Sequence, residues 1–119
     1  MIAINISEKL KLINEYWTPK KVGELNGQQI LLAKLKGEFI WHTHEGEDEL
    51  FMIIKGSLKI EFRDKLIELN EGEIFIIPKG KEHKPIAENE VHVMLFEPLT
   101  IKYTGNIKSK LTVKKFESI

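Results

Sequence analysis

The sequence predicts an all-β sandwich or barrel preceded by one short helix. After Pro19, short apolar runs alternate with turn residues every eight to twelve positions, which is typical of both architectures. The intervening turns are tight, so most neighbouring strands should pair as antiparallel hairpins. A length of 119 residues, 42% of them hydrophobic, suits one domain with its own core. We divide that domain into a helical segment 1–20, a barrel 21–100 and a tail 101–119.

The first segment predicts a helix that covers the outer face of a sheet. Asn5 or Ser7 can cap this helix, and Pro19 ends it. Apolar residues recur along it at intervals of four, three and four, as on one face of a helix: Ile6, Leu10, Ile13 and Trp17. A detachable targeting helix is the alternative interpretation.

The predicted strands are 29–36, 38–44, 49–55, 58–62, 65–69, 74–77 and 91–97, with further candidates at 22–25, 85–87 and 111–116. The runs 50–54 and 74–77 are apolar on both faces. A strand with one solvent-facing side should alternate, so a second sheet, the helix or another subunit must cover these strands. We therefore expect a homodimer, which is the commonest symmetric assembly.

The composition excludes several function classes. The chain has no cysteine, which excludes disulfides, iron–sulfur clusters and thiol catalysis and fits a cytoplasmic protein. Its 18 basic and 18 acidic residues balance, and Arg63 is its single arginine, so we expect no nucleic acid partner. We also expect no membrane partner, because no apolar stretch is long enough for a spanning helix and no signal peptide is apparent.

Histidines and carboxylates offer one constellation with metal-binding character. His42 and His44 occupy alternate positions of a predicted strand, so both imidazoles point to one face. Glu49 begins the next strand and can lie beside them in a hairpin, although Asp48 competes for this role. His83 follows a Pro-Lys-Gly turn later in the chain. Three imidazoles and one carboxylate suit a divalent first-row metal. A surface histidine pair, a solvated acidic turn and a loop histidine are the alternative interpretation of the same residues.

Two motifs, in this order, resemble those of the cupin superfamily. The first is His42-Thr43-His44, four residues, Glu49, six residues, Gly56; the second is Gly72, five residues, Pro78-Lys79-Gly80, two residues, His83, with 15 residues between the motifs. The residue pattern of these motifs is similar to that of small single-domain cupin 2 proteins, which are also described as RmlC-like or mannose-6-phosphate-isomerase-like. Gly37 stands one position closer to the histidine pair than in the family pattern, and Ala87 replaces a common asparagine.

The resemblance implies a double-stranded β-helix, or jelly-roll barrel, around one divalent transition metal. Iron, manganese, nickel and zinc all suit the site, and the implied ligands are His42, His44, Glu49 and His83. The family spacing to Gly56 selects Glu49 over Asp48.

Strand alternation extends this site into a mostly apolar pocket. The predicted lining consists of residues that share a strand face with His42, with Glu49 or with His92, the histidine outside both motifs: Ile40, Phe51, Ile53, His92, Met94 and Phe96. A structural role is the alternative for His92.

We expect a metal-dependent enzyme of dioxygenase, isomerase or lyase type that acts on a small molecule in the barrel. A non-catalytic ligand-binding or sensor protein, with a structural or vestigial metal, is the alternative. A purely structural protein ranks last, because unpaired buried polar groups are costly. Catalytic residues beyond the ligands are unknown, since no separate general base stands out.

Overall fold

Eight β-strands follow one short helix in the computed structural model, which describes residues 2–119. The helix α1 is Ile6–Leu10, and the strands are β1 Lys20–Leu25, β2 Gln28–Glu38, β3 Glu49–Lys55, β4 Leu58–Phe62, β5 Leu66–Leu69, β6 Ile74–Ile77, β7 His83–Pro98 and β8 Glu117–Ser118. The prediction of an all-β fold with a short N-terminal helix is therefore confirmed. Among the described residues, no helix has the length and apolar character needed to cross a bilayer.

The 16-residue strand β7 joins the two halves of the barrel. Its first residues pair with β4, its last residues pair with β3, and β2 runs antiparallel along most of its length. β5, β6 and β1 extend the sheets from β4, β3 and β2. Residues 88–90 are exposed between two stretches of alternating burial, so β7 changes its sheet partners there. The result is a jelly-roll barrel whose two sheets share β7 and β2.

The N-terminal apolar stripe is buried as predicted, but only its first turn is helical. The side-chain oxygen of Asn5 accepts a hydrogen bond from the Glu8 N–H at 2.9 Å, as expected of an N-cap. Leu10 and Ile13 then pack on the outer face of β2 against Leu32. This part of the segment covers the sheet as the sequence predicted.

Trp17 leaves that outer face and enters the barrel interior. Its backbone has a positive φ of 55° and its N–H donates to the carbonyl of Lys34 in β2, so the segment follows a strand instead of continuing a helix. The indole Nε1–H donates to the Lys36 carbonyl at 2.8 Å, and the ring stacks on Phe39 with centroids 4.8 Å apart. The predicted helical position of Trp17 is therefore wrong, because strand β2 satisfies its backbone donor.

Four predicted strands differ from the structure. The predicted strand 38–44 is an irregular loop, because β2 ends at Glu38 after a bulge that has Gly37 at a φ of 92°. The candidates 85–87 and 91–97 form the single strand β7. The candidate 111–116 is not a strand; the short strand β8 lies just beyond it and pairs in parallel with β1.

Candidate metal centre

Two of the candidate histidines are direct neighbours in the barrel wall. His42 and His83 form a reciprocal backbone pair in which each N–H donates to the other carbonyl at 3.0 Å. This pairing sets the two imidazole centroids 4.3 Å apart. The loop that contains His42 therefore keeps one strand-like contact although it is not a strand.

His44 completes a group of three imidazoles. Its carbonyl accepts a hydrogen bond from Gly80 at 2.8 Å, which ties the histidine-pair loop to the turn before His83. One ring nitrogen from each of His42, His44 and His83 lies within 4.8 Å of the others. The three side chains are buried, with exposed fractions of 3%, 5% and 0%.

Two rings are oriented by backbone carbonyls. His42 Nδ1 lies 2.9 Å from the carbonyl oxygen of Ile40, and His83 Nδ1 lies 2.9 Å from that of Lys81. A carbonyl can only accept, so Nδ1 carries the proton in each neutral ring and Nε2 keeps its lone pair. The buried Nε2 atoms of His83 and His44 have no hydrogen-bond partner among the described residues. Unpaired buried acceptors that converge in this way are what a metal ion would satisfy.

Glu49 supplies the carboxylate at this centre. Its Oε1 lies 3.7 Å from His44 Nε2 and 3.9 Å from His83 Nε2, and its side chain is 5% exposed. Asp48 instead accepts a hydrogen bond from the backbone N–H of Lys79 at the surface. The structure thus brings together the four residues of the implied ligand set and leaves the competing carboxylate outside.

Burial keeps the three imidazoles neutral. Burial, together with the charge of His83, lowers the pKa of His42 to about 3 and that of His44 to about 4. Burial also lowers the pKa of His83. Neutral imidazole is the form that binds a metal, so this centre is ready to bind one at pH 7 without losing protons from histidine.

A second buried acid, Glu97, stands beside Glu49. Burial raises the pKa of Glu97 well above its usual range, and the charge of Glu49 and a hydrogen bond to it raise that pKa further. Burial raises the pKa of Glu49 to about 7, against the effect of the Glu97 hydrogen bond. Glu97 Oε1 has no hydrogen-bond partner among the described residues. Both shifts favour the protonated form, because two buried carboxylates side by side repel each other when both are ionised.

Comparison with known proteins identifies the family. The family described as "Cupin domain" (Cupin_2) matches residues 31–100, which is more than half of the chain. The chain belongs to the cupin family. The cupin fold predicted from the two motifs is thereby confirmed.

The chain is similar to three bacterial proteins over different shares of its length. A cupin-2 domain containing protein from Shewanella frigidimarina NCIMB 400 is 46% identical with a TM-score of 0.80, over 81% of this chain and 94% of that one. Protein NMB1881 from Neisseria meningitidis is 34% identical with a TM-score of 0.76, over 82% of this chain and 99% of that one. The uncharacterized protein YdbB of Bacillus subtilis (strain 168) is 39% identical over 64 residues, which are 53% of this chain and 57% of YdbB.

The predicted pocket residues of this cupin divide into two groups. Phe51 and Ile53 belong to the buried interior core, and Ile40 packs against it. The other three, His92, Met94 and Phe96, lie on the outward side of β7, where Met94 packs in the cluster under α1. The alternation in β7 has the opposite phase from the one predicted: its inward residues are Val91, Val93, Leu95 and Glu97.

Glu97 was missed for the same reason. The predicted pocket side of this strand holds His92, Met94 and Phe96, and Glu97 is out of phase with these three. The signal that could have found it is the run of valines and leucine at 91, 93 and 95, which is a stronger marker of an inward face than one histidine.

The interior of this cupin is nearly filled. A space of about 20 Å³ remains beside His42 and Glu49, roughly the room that one water needs. Aromatic side chains enclose this space, including Trp17, Phe39 and Tyr103. Phe39 contacts both the His42 ring, at 5.1 Å between centroids, and the Tyr103 ring, at 4.9 Å.

The C-terminal segment, residues 99–116, closes the barrel next to the histidine pair. A Cβ on Gly105 would lie 2.3 Å from the backbone oxygen of Thr43, between the two histidines of the first motif. Thr104 is 1% exposed, and its hydroxyl bonds the Ile107 carbonyl and the Thr112 hydroxyl, which folds the segment back on itself. Access to the metal centre from this side requires the segment to move.

We expect Gly105→Ala to lower the free energy of unfolding by about 2–3 kcal/mol, because it adds a backbone clash to an unfavourable φ of 62°. Gly27→Ala is the matched control: its φ is 78° but its Cβ would meet no atom within 4 Å, so about 1 kcal/mol should be lost. Urea unfolding measures both losses. Equal losses of unfolding free energy in the two variants would show that the close packing of Gly105 against Thr43 does not contribute to stability.

Proposed function

We propose that this cupin is a metal-dependent enzyme that acts on a small molecule. The observation that carries the proposal is the pair of unpartnered buried nitrogens, His44 Nε2 and His83 Nε2, that face the carboxylate of Glu49. Leaving such atoms without partners costs stability, so their convergence is better explained by an ion that they bind. A structural protein would gain more from apolar residues at these positions.

The chain's own residues would divide the work at this centre. His42, His44 and His83 present neutral nitrogens, and the carbonyls of Ile40 and Lys81 hold two of the rings in place. Glu49 supplies the single negative charge. A divalent iron, manganese, nickel or zinc ion bound here would polarise a substrate oxygen, and iron(II) would add redox chemistry.

Glu97 is our candidate for the acid–base group that the sequence alone did not reveal. Its buried site next to Glu49 raises its pKa and so favours the neutral acid, which could donate a proton to a reacting oxygen or carbanion. The aromatic rings of Trp17, Phe39 and Tyr103 enclose the space beside His42 and the neighbouring Glu49, where excluding bulk water would strengthen such a transfer.

Elemental analysis of the chain purified without a histidine tag tests the proposal. We expect about one equivalent of a single transition metal, and turnover in a screen of diketones, catechols, sugars and α-keto acids followed by oxygen consumption and product NMR. Protein that binds no transition metal, even after incubation with iron, manganese, nickel and zinc, would contradict the proposal.

A ligand-binding or sensor function is the second candidate, and one observation counts against turnover at the metal centre. The space of about 20 Å³ beside His42 and Glu49 holds no organic substrate while the C-terminal segment is closed. Metal-loaded protein without turnover, in which a small molecule changes the protein's NMR spectrum, would support this candidate over the enzyme.

We further propose that a second copy of the chain covers the outer face of the sheet. Two apolar rows cross β6, β3 and β7 on this face: Ile76, Leu50 and Phe96, and Ile74, Met52 and Met94. Ile74 and Ile76 are more than half exposed in the single chain. The other four residues are half-buried, so the face is an apolar strip whose most exposed members lie on β6, as in many dimer interfaces.

Light scattering after size-exclusion chromatography tests the dimer. We expect a dimer for the unmodified chain and a monomer for Ile76→Lys, because an interface would have to bury the new ammonium group without a partner. Leu66→Lys is the control, since Leu66 is also about half exposed but lies on β5 in the other sheet. A monomeric unmodified chain at micromolar concentration would refute the interface.

A further inference from the structure

A second cavity lies under the C-terminal segment, apart from the metal centre. It has a volume of about 680 Å³, and its wall includes the segment itself, Lys21 of β1 and Gln29 of β2. None of the four candidate metal ligands lines it. The volume falls within the range of small-molecule sites, so the cavity is large enough for an organic ligand.

The wall of this cavity is positively charged although the whole chain is neutral. Five lysines line it and no aspartate or glutamate does. Lys21 is paired with Glu24 at 2.7 Å. The other four lysines form no ion pair within residues 2–119: Lys102, Lys108, Lys114 and Lys115. Unpaired charges of one sign around a concave surface favour a ligand of the opposite sign.

A buried amide points to a ligand at the same place. Gln29 is 2% exposed, lines the cavity, and makes no side-chain hydrogen bond with any described residue. The other inward positions of β2 are apolar, namely Leu31, Ala33 and Leu35. The amide atoms of Gln29 are not among the fully buried unpaired atoms, so they reach the cavity space, where the NH₂ group can donate to a ligand oxygen.

The remaining wall is apolar. Phe116 is buried, packs edge-on against the Tyr103 ring with centroids 5.7 Å apart, and stands beside Ile101 and Val113 in the cavity lining. Such a surface suits a hydrocarbon or aromatic body and not a free inorganic ion. The cavity therefore combines an apolar surface with cationic and amide groups.

We infer that this cavity binds a small organic anion, with its acid group among the lysines and Gln29 and its apolar body against Phe116. A carboxylate and a phosphate monoester share this chemistry. The site is distinct from the metal centre, so the inference does not depend on the proposed function.

NMR titration of metal-stripped, dialysed protein with sodium octanoate tests the inference. We expect octanoate to shift the Gln29 side-chain amide signals, assigned by their loss in Gln29→Met, together with backbone amides of residues 101–116. Octan-1-ol, which has the same chain without the charge, should bind at least about tenfold more weakly. Octyl phosphate is the second anionic probe, and the tighter of the two anions identifies the acid group.

A pair of double variants makes the test independent of Gln29. Lys102→Gln with Lys114→Gln should weaken octanoate binding about tenfold at low salt, because two rim charges are lost. Lys9→Gln with Lys110→Gln removes the same charge outside the cavity and should leave the affinity unchanged. Equal binding of octanoate and octanol, equal effects of the two double variants, or shifts confined to the outer apolar face would each overturn the inference.

Discussion

Replacing His83 with alanine is expected to reduce the affinity for a divalent transition metal by about a hundredfold or more. Removing a partner that merely orients a metal ligand costs about 10–100-fold, so the loss of a ligand itself should reach at least the upper end. His83 is fully buried, and its Nε2 faces Glu49 with no other partner among the described residues. Calorimetric titration with zinc and manganese measures the change.

His92→Ala is the matched control for this experiment. His92 bonds Glu90 at 2.7 Å on the outward side of β7, so its removal should leave metal affinity unchanged. The unmodified chain should also show a higher melting temperature with metal than without, whereas His83→Ala should not. Retention of one tightly bound equivalent by His83→Ala would exclude this residue as a ligand.

The metal-free chain should lose stability with rising pH through its buried acid pair, and Glu97→Gln should remove part of that loss. A carboxyl whose pKa is raised on folding stabilises the protein fully below its unfolded pKa and loses this contribution as pH rises toward the folded pKa. Burial raises the pKa of Glu97 well above its usual range. The loss therefore begins above the unfolded pKa of about 4.5 and continues with rising pH until the folded pKa is reached, at no more than about 1.4 kcal/mol per pH unit.

The loss is measured as the difference between the two unfolding curves, because the histidines act in the opposite direction. The lowered pKa values of His42 and His44 stabilise the folded state above the unfolded pKa of 6.5, and this contribution is lost as pH falls toward about 4 and then about 3. Glu97→Gln leaves the histidines in place. Glu71→Gln, in an exposed turn, is the control. Parallel stability curves for Glu97→Gln and the unmodified chain would contradict a buried protonated acid.

The metal centre was predictable because its residues are close in sequence or lie in recognisable motifs. His42 and His44 are two positions apart, Glu49 follows one turn later, and His83 follows a proline–glycine turn. Strand alternation predicts that His42 and His44 point to one face, and their rings do lie together although the segment that contains them is not a strand. What replaced the strand is the reciprocal backbone pair between His42 and His83, a contact between residues 41 positions apart that no local pattern encodes.

Predictions from the sequence were wrong where a local pattern is compatible with two different structures. The apolar stripe that ends in Trp17 is compatible with a helix. In the structure, however, the backbone and indole N–H groups of Trp17 donate to the carbonyls of Lys34 and Lys36 in β2, so this residue follows the strand. In β7 both phases of the alternation contain apolar residues, and only the run of valines and leucine at 91, 93 and 95 favours one of them. The structure selects the phase that turns Glu97 inward and His92 outward.

Local patterns in the amino-acid sequence were enough to indicate an all-β sandwich or barrel and the turns that separate its strands, and the resemblance of two short motifs implied the barrel and the four candidate metal ligands. The position of Glu97 beside Glu49, the closure of the barrel by Gly105 against Thr43, and the lysine-lined cavity around Gln29 were decided by the fold. Each of these features brings together segments that are far apart in the chain. Whether two such segments pack against each other depends on the apolar surface that both of them bury, so the sequence of one segment cannot predict it.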